Sequence, residues 1–383
     1  MLVLLILNII LLAILIAIVI VFHNEVVYWY KSHKIKNTQK EKVVRASSIE
    51  SFKQKLMSSS SKMVALKKKN EYPTLTGDTF LKRFLYSQNH QDPVELFSWQ
   101  YSECGWLLYA LAEAGYDLMR IKEIFDHHII KDKITVVDQA QCGMFALLIY
   151  KKTREKKYKD YSDSLYHFLF SRVNDYGLPY RDGASQDILV DTIGMAIPFL
   201  IEYSQMFPES ESIAYDIVEK FVKYGIDNET GLPAFGFYTT KPYIKHGACN
   251  WGRGCAWYVI GLSYIDKARL SDTAISQIEK LEKTLVYLYN KDHSFGHFLG
   301  KKERDLSAEL PILLYLSKKK LIKLTEKDIL DYSLMCHNGI VYNSSSSNTG
   351  IIAYGTLCGP NVLSQAYMIR IITLYENVLN NER

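Results

Sequence analysis

The chain has 383 residues, 48% of them hydrophobic and 23% charged, with a formal net charge of +5. This composition excludes a disordered or fibrous protein and supplies enough apolar surface for a core that needs no disulfide staples. The charge is unevenly placed: 12 Lys/Arg stand against Glu41 and Glu50 between Lys31 and Lys69, a net of +10, whereas residues 70–383 carry 34 basic and 38 acidic residues, a net of −4.

The 21 residues from Leu2 to Phe22 contain no charge and are almost all Leu, Ile, Val or Ala. That length matches a helix crossing about 30 Å of hydrocarbon. No basic residue precedes the run, and the bulky Val19-Ile20-Val21-Phe22 closes it, so residues 1–23 read as a transmembrane anchor rather than a cleaved signal. Basic residues beside a span stay on the cytoplasmic side, which places the folded part in the cytoplasm, with the basic segment near anionic lipid. Residues 24–74 read as a basic juxtamembrane stalk, partly helical, with Ser58–Ser61 as a loop. Nucleic-acid binding is the rival reading of this segment, but no recognisable module accompanies it, and no nucleic-acid partner is expected. The six cysteines lack metal-ligand spacing and read as reduced, mostly buried thiols.

From about residue 75 to 383, apolar residues recur at helical spacing, as in Trp106–Ala112, Met144–Tyr150 and Ala274–Leu285. Strand patterns are scarce, so the domain reads as all-helical. Glycine turns repeat along it at Gly177, Gly231, Gly296 and Gly339, spaced 54, 65 and 43 residues apart, as expected for helix pairs joined by variable loops. An open solenoid and a closed toroid both satisfy that pattern.

Acidic residues stand where helices begin. Asp138 and Asp191 are 53 residues apart, one repeat, so both are expected at the same end of the bundle; Asp305 offers a third acid. Helix capping alone also accounts for such positions. In Trp251-Gly252-Arg253-Gly254-Cys255-Ala256-Trp257, two indoles offer flat faces for a pyranose and the guanidinium offers a fork for a carboxylate. The same heptapeptide also fits a glycine-rich turn entering a helix with both tryptophans in the core. Trp99 is a weaker candidate for the wall of such a site, since aromatics at helical spacing usually pack. No phosphate loop, HExxH or Ser-His-Asp order is present, so no cofactor or metal is expected.

Val190–Leu200, followed some fifty residues later by Trp-Gly-Arg-Gly-x-x-Trp at 251–257, resembles the unsaturated glucuronyl and rhamnogalacturonyl hydrolases of glycoside hydrolase families 88 and 105, over roughly residues 90–375. The resemblance implies an (α/α)6 barrel, a six-hairpin toroid, and so selects the closed form. It also implies that Asp191 is the proton donor and water-activating group for hydration of a C4=C5 double bond in an unsaturated uronic acid. Asp138 is then its partner carboxylate, and Arg253, Trp257 and Trp251 are the substrate contacts. The chain departs from the family at Cys255-Ala256, where Asn-Gly is usual, and at Phe235, where many members carry a histidine that His246 replaces from another loop. Three functions follow as expectations: a membrane-anchored hydrolase of acidic unsaturated oligosaccharides, a glycosidase of the same fold acting on a saturated acidic polysaccharide, and a non-catalytic glycan-binding or polysaccharide-assembly protein.

Overall fold

The computed structural model describes residues 4–19, 22–23, 37, 43–65, 96–128, 130–131, 133–171, 188–238, 243–345, 348, 354 and 357–381. Residues 4–19 are helical and exposed. Among the described residues no helix is long and apolar enough to cross a membrane; residues 1–3, 20 and 21 of the expected span lie outside them.

The domain is mostly helical: α1 (Ile49–Ala65), α2 (Leu96–Glu113), α3 (Leu118–His128), α4 (Ala140–Thr153), α5 (Lys156–Phe170), α6 (Val190–Tyr203), α7 (Glu209–Gly225), α8 (Gly252–Leu262), α9 (Asp272–Asp292), α10 (Leu306–Lys318), α11 (Glu326–Tyr332) and α12 (Val362–Asn381). Helices α2, α4, α6, α8, α10 and α12 each pack on the next, and α12 returns to α2. This closes a ring of six and settles the choice between solenoid and toroid. The physical reason lies in the side chains. Val190–Leu200 of α6, all of α8, and Leu306–Leu316 of α10 are buried on every face, and a helix apolar all round is stable only when surrounded. The outer helices are amphipathic instead: α9 buries Ala274, Ile278, Leu281, Glu282 and Leu285, one stripe at helical spacing, against solvent-facing residues elsewhere.

Two expectations change. The segment taken as a stalk contains α1, which packs on α2, α11 and α12 through Phe52 and Leu56. Ser58–Ser61 is helix rather than loop, because Ser60 donates back to the Leu56 carbonyl and Ser61 to that of Ser58, satisfying their hydroxyls inside the helix. Ser60 also accepts from the Gln365 amide of α12.

Of the repeated glycine turns, Gly177 lies outside the described residues. Gly231 takes φ +72°, as a turn past a helix requires. After α9 it is His293 that adopts the left-handed conformation and caps the helix, not Gly296. Asn338 and Gly339 are both left-handed and join β4 (Cys336–His337) to β5 (Ile340–Val341), a two-residue hairpin of the kind Asn-Gly favours. Three further strands bear on the site. β1 (Ile188–Leu189), β2 (Gly236–Phe237) and β3 (Lys245–His246) form an antiparallel sheet in that order. A last pair, β6 (Ser344–Ser345) and β7 (Leu357–Gly359), lies against α10.

Candidate active site

Consecutive inner helices are separated by one outer helix running back, so their N-termini share one end of the ring. Asp138, Asp191, Arg253 and Asp305 all stand at that end, each within a residue or two of an inner-helix start. The one-repeat spacing of the two aspartates is therefore realised in space.

Asp138 occupies a 3-10 turn, Val137–Gln139, that leads into α4 and packs against α2 and α6. Gln139 fixes this turn by accepting from the backbone of Thr135 and Val136 (2.7 and 3.2 Å). Asp191 is the second residue of α6, and strand β1 delivers it there: the Val190 amide donates to the Phe235 carbonyl of the loop before β2 (2.9 Å). Both aspartates are buried, 2% and 7% exposed. Carboxylates in the first turn of a helix face its positive pole.

Trp251 is the N-cap of α8 and Gly252–Trp257 form its first turns, and both indoles are packed. Trp251 lies beneath Phe235 and Tyr354, with ring centroids 4.6 and 5.7 Å away. Gly254 is obligatory under it, since a Cβ there would sit 2.4 Å from the indole. Trp257 fills the contact between α8 and α6: a Cβ on Gly194 would stand 2.4 Å from its carbonyl oxygen. Both substitutions relative to the family are also core. Cys255 and Ala256 are fully buried, with burial pushing the Cys255 thiol well up, and Phe235 is occupied by its stack on Trp251.

Arg253 is buried, and its guanidinium donates to the Ser345 carbonyl (3.0 Å) and the Asn348 side chain (3.5 Å). It thereby ties α8 to the β6 region, some 92 residues on. Asp305 balances the charge nearby. Its Oδ1 accepts from the Ser307 amide and hydroxyl (3.0 and 2.6 Å) and the Ser345 amide (3.1 Å), while Oδ2 meets His297 Nδ1 at 3.1 Å. Burial works to raise the Asp305 carboxyl, but the hydrogen bond from His297, the Arg253 charge and the two serines outweigh it and hold the group below its ordinary value.

His246 lies on β3 beside the β2 strand, opposite Gly236. Partial burial lowers its pKa and favours neutral imidazole. Trp99 is on α2, but its side chain lies outside the described residues. Sequence reasoning missed His297, Ser345, Asn348 and Tyr354. The Tyr354 hydroxyl accepts from the Ala248 amide (2.6 Å), and its ring covers Trp251 and Phe298. Ser345 stands on the short strand β6 and the other three outside any helix or strand, with no local motif to mark them; only the His297–Asp305 spacing of eight residues was open to notice. Among the described residues no three His, Cys, Asp or Glu side chains converge as metal ligands.

The six-helix ring resembles the fold of solved glycoside hydrolases. The structure of a possible family 105 member from Klebsiella pneumoniae superposes with a TM-score of 0.67 at 15% identity, covering 88% of this chain and 95% of that one. The unsaturated glucuronyl hydrolase from Bacillus sp. GL1, responsible for the degradation of glycosaminoglycan, gives 0.60 at 14% identity, with 85% and 97% covered. A third structure, described as UGL with dGlcA-Glc-Rha-Glc, gives 0.62 at 13%, with 84% and 96% covered. At these identities the likeness establishes the toroid. The family follows from the sequence itself: residues 82–294 match the profile of Glycosyl Hydrolase Family 88, more than half of the chain, and the protein belongs to that family.

Proposed function

We propose that this protein hydrolyses oligosaccharides that end in an unsaturated uronic acid, using Asp191 as proton donor. The observation that carries the reading is the placement of Asp138 and Asp191, both buried, at the starts of adjacent inner helices, with Arg253 at the same pole. Family membership supports it, as does the resemblance to a structure holding dGlcA-Glc-Rha-Glc.

In the reaction, the Asp191 carboxyl delivers its proton to C4 of the C4=C5 bond and positive charge develops at C5. Water adds there, giving its proton back to the Asp191 carboxylate. The hemiketal so formed opens and releases the neighbouring sugar. Asp138 keeps a proton available on Asp191, because two carboxylates in a closed setting do not both hold charge readily. Arg253, His246 and Trp99 are the contacts proposed for the sugar, with the buried Trp251 and Trp257 behind them. Arg253 receives the uronate carboxylate, and the packed indoles set the shape of the wall behind it.

The test is loss of absorbance at the ultraviolet band of the conjugated uronate, over a panel of lyase-generated oligosaccharides. Decay that Asp191→Asn abolishes supports the reading. No decay on any member, from a folded chain, refutes it and leaves a saturated acidic polysaccharide or a barrel that only binds glycan.

The same proposal holds the toroid at a membrane through residues 2–22, facing the cytoplasm. Labelling of single cysteines introduced into the exposed outer helices by a membrane-impermeant reagent checks the side. Labelling from outside intact cells contradicts it.

A further inference from the structure

The inner helices run out at the pole opposite the aspartates, and two of the turns that leave them there are strongly basic. Residues 151–157, from α4 into α5, carry five basic residues against Glu155; residues 318–326, from α10 into α11, carry four against Glu326. Some of these cations are engaged within the fold: Lys151 pairs with Glu202, Lys156 with Asp160 and Lys157 with Asp126, while Lys318 lies over the Tyr264 ring. Lys152, Arg154, Lys320 and Lys323 are exposed and have no ion-pair partner among the described residues. Leu321 tips the second turn, 38% exposed. Since α4 and α10 stand opposite each other in the ring, the positive charge spans the pole.

The chain enters the domain at this same pole. Helix α1 runs antiparallel to α12: Ser60 meets Gln365 near the start of α12 (2.9 Å) and Lys53 meets Glu376 near its end (2.6 Å), so the N-terminus of α1 points to the C-terminal pole. Just before α1, Arg45 donates to the Lys327 carbonyl (3.1 Å) and pairs with Asp331 (2.9 Å), beside the second basic turn. Residues 31–42 add five lysines against Glu41, and the uncharged run 2–22 precedes them.

We infer that the C-terminal pole is a docking surface for an anionic lipid bilayer: the exposed lysines and Arg154 sit among the headgroup phosphates, Leu321 reaches the boundary with the acyl chains, and the candidate active site faces away from the membrane. Each Lys or Arg brought to an anionic surface adds to the binding, an attraction that fades within a Debye length. An apolar run held in the bilayer and a chain that enters at this pole bring both turns to that surface together. Helix α6 has 14 residues, about 20 Å at 1.5 Å per residue, so Asp191 stands roughly that far from the headgroups and the aspartates open towards water. The inference rests on the membrane reading above and adds an orientation to it.

Amine acylation read by mass spectrometry tests this on the full chain, at single-hit labelling, in vesicles of phosphatidylcholine alone or of phosphatidylcholine mixed with phosphatidylglycerol. In the anionic vesicles Lys152, Lys320 and Lys323 are expected to label about fivefold more slowly than in the neutral ones. Lys301 and Lys302, exposed in the loop before α10 at the other pole, label alike in both. High salt abolishes the difference. In a chain carrying Lys320→Gln and Lys323→Gln, the protection of Lys152 falls, because the two turns bind one surface. A chain retained on both kinds of vesicle with the three lysines labelled alike overturns the docking alone, as does protection of Lys301 and Lys302 in their place. Retention on anionic vesicles only, released by salt, with the three lysines protected, supports the docking and overturns the anchor. Retention on neither overturns both. Protection of these lysines by polyuridine and not by anionic vesicles assigns the pole to nucleic acid and overturns the docking.

Discussion

At the N-terminal pole of the ring, Asp138, Asp191 and Asp305 are buried together with Arg253 and His297, and loops from distant parts of the chain complete their surroundings. At the C-terminal pole, Arg370 of α12 is clamped by Glu113 at the end of α2 (2.7 Å), bonded to the Tyr264 hydroxyl (3.3 Å) and ringed by Trp106, Tyr109 and Tyr367 at 5.1–5.5 Å. Burial opposes its charge, and Glu113 restores it. The helix dipole accords with acids at three of the six inner-helix N-termini and a cation among the C-termini, though Arg253 at the start of α8 runs against it. It does not explain the difference in construction. The C-terminal cluster is drawn from two helices and the turn after α8, and leaves Trp106 Nε1 and the Tyr367 hydroxyl without hydrogen-bond partners among the described residues, whereas the N-terminal set draws on residues brought from loops.

The contrast predicts that substitutions at the two poles separate activity from stability. The largest effect is expected at Asp191: Asn in its place lowers kcat by about 10³-fold with a melting temperature close to that of the unaltered chain. Rate and thermal unfolding measured on the same preparation decide it. At the other pole, Arg370→Ala removes the cation from a buried aromatic cage and costs roughly 3 kcal/mol in urea unfolding, less than a fully buried pair because Glu113 keeps partial contact with water. The fraction that stays folded is expected to keep its kcat. An Arg370→Ala chain that is stable but inactive breaks the division between the poles.

Gly194→Ala tests the seam between them. Its methyl would sit 2.4 Å from the Trp257 carbonyl oxygen, which is backbone and cannot swing aside, so α6 must move away from α8. A loss of about 1–3 kcal/mol is expected, with a fall in kcat because Asp191 travels with α6. Full activity in this variant shows that Asp191 does not depend on the α6–α8 distance.

Much of this was legible beforehand. The 53-residue spacing of Asp138 and Asp191 required only that the repeat be structural, and inner helices advertise themselves by being apolar on all sides. The fate of the tryptophans was not legible, because what buries Trp257 is a glycine some sixty residues earlier and what covers Trp251 is a tyrosine about a hundred residues later. Ser58–Ser61 misled for a related reason: serine favours turns only when its hydroxyl has no better partner, and the partner, Gln365, comes from the last helix. The His297–Asp305–Arg253 network joins three loops or helix starts whose meeting is a property of ring closure, which no local window contains.

That network makes the next prediction one of pH. Asp305 is held below its ordinary value in the folded chain, so its contribution to stability is fully present above the unfolded carboxylate pKa, about 3.9, and is lost as pH falls through the lower folded value. Asp305→Asn removes this dependence. The stability difference between the two proteins is expected to be constant from about pH 5 upward and to shrink on acidification below about pH 4. A gap that grows on acidification contradicts the assignment.

The smallest effect belongs to His246. Burial depresses its pKa, so the folded chain binds fewer protons at this ring than the unfolded chain just below the ordinary histidine value of about 6.5. Stability must then rise with pH through the window beneath that value and level off above it. Because the ring is only partly buried, the slope is small, visible as a difference between the unaltered chain and His246→Gln. A slope that survives His246→Gln unchanged assigns the pH dependence to another group, whereas its loss in that variant ties the dependence to the half-buried imidazole on β3.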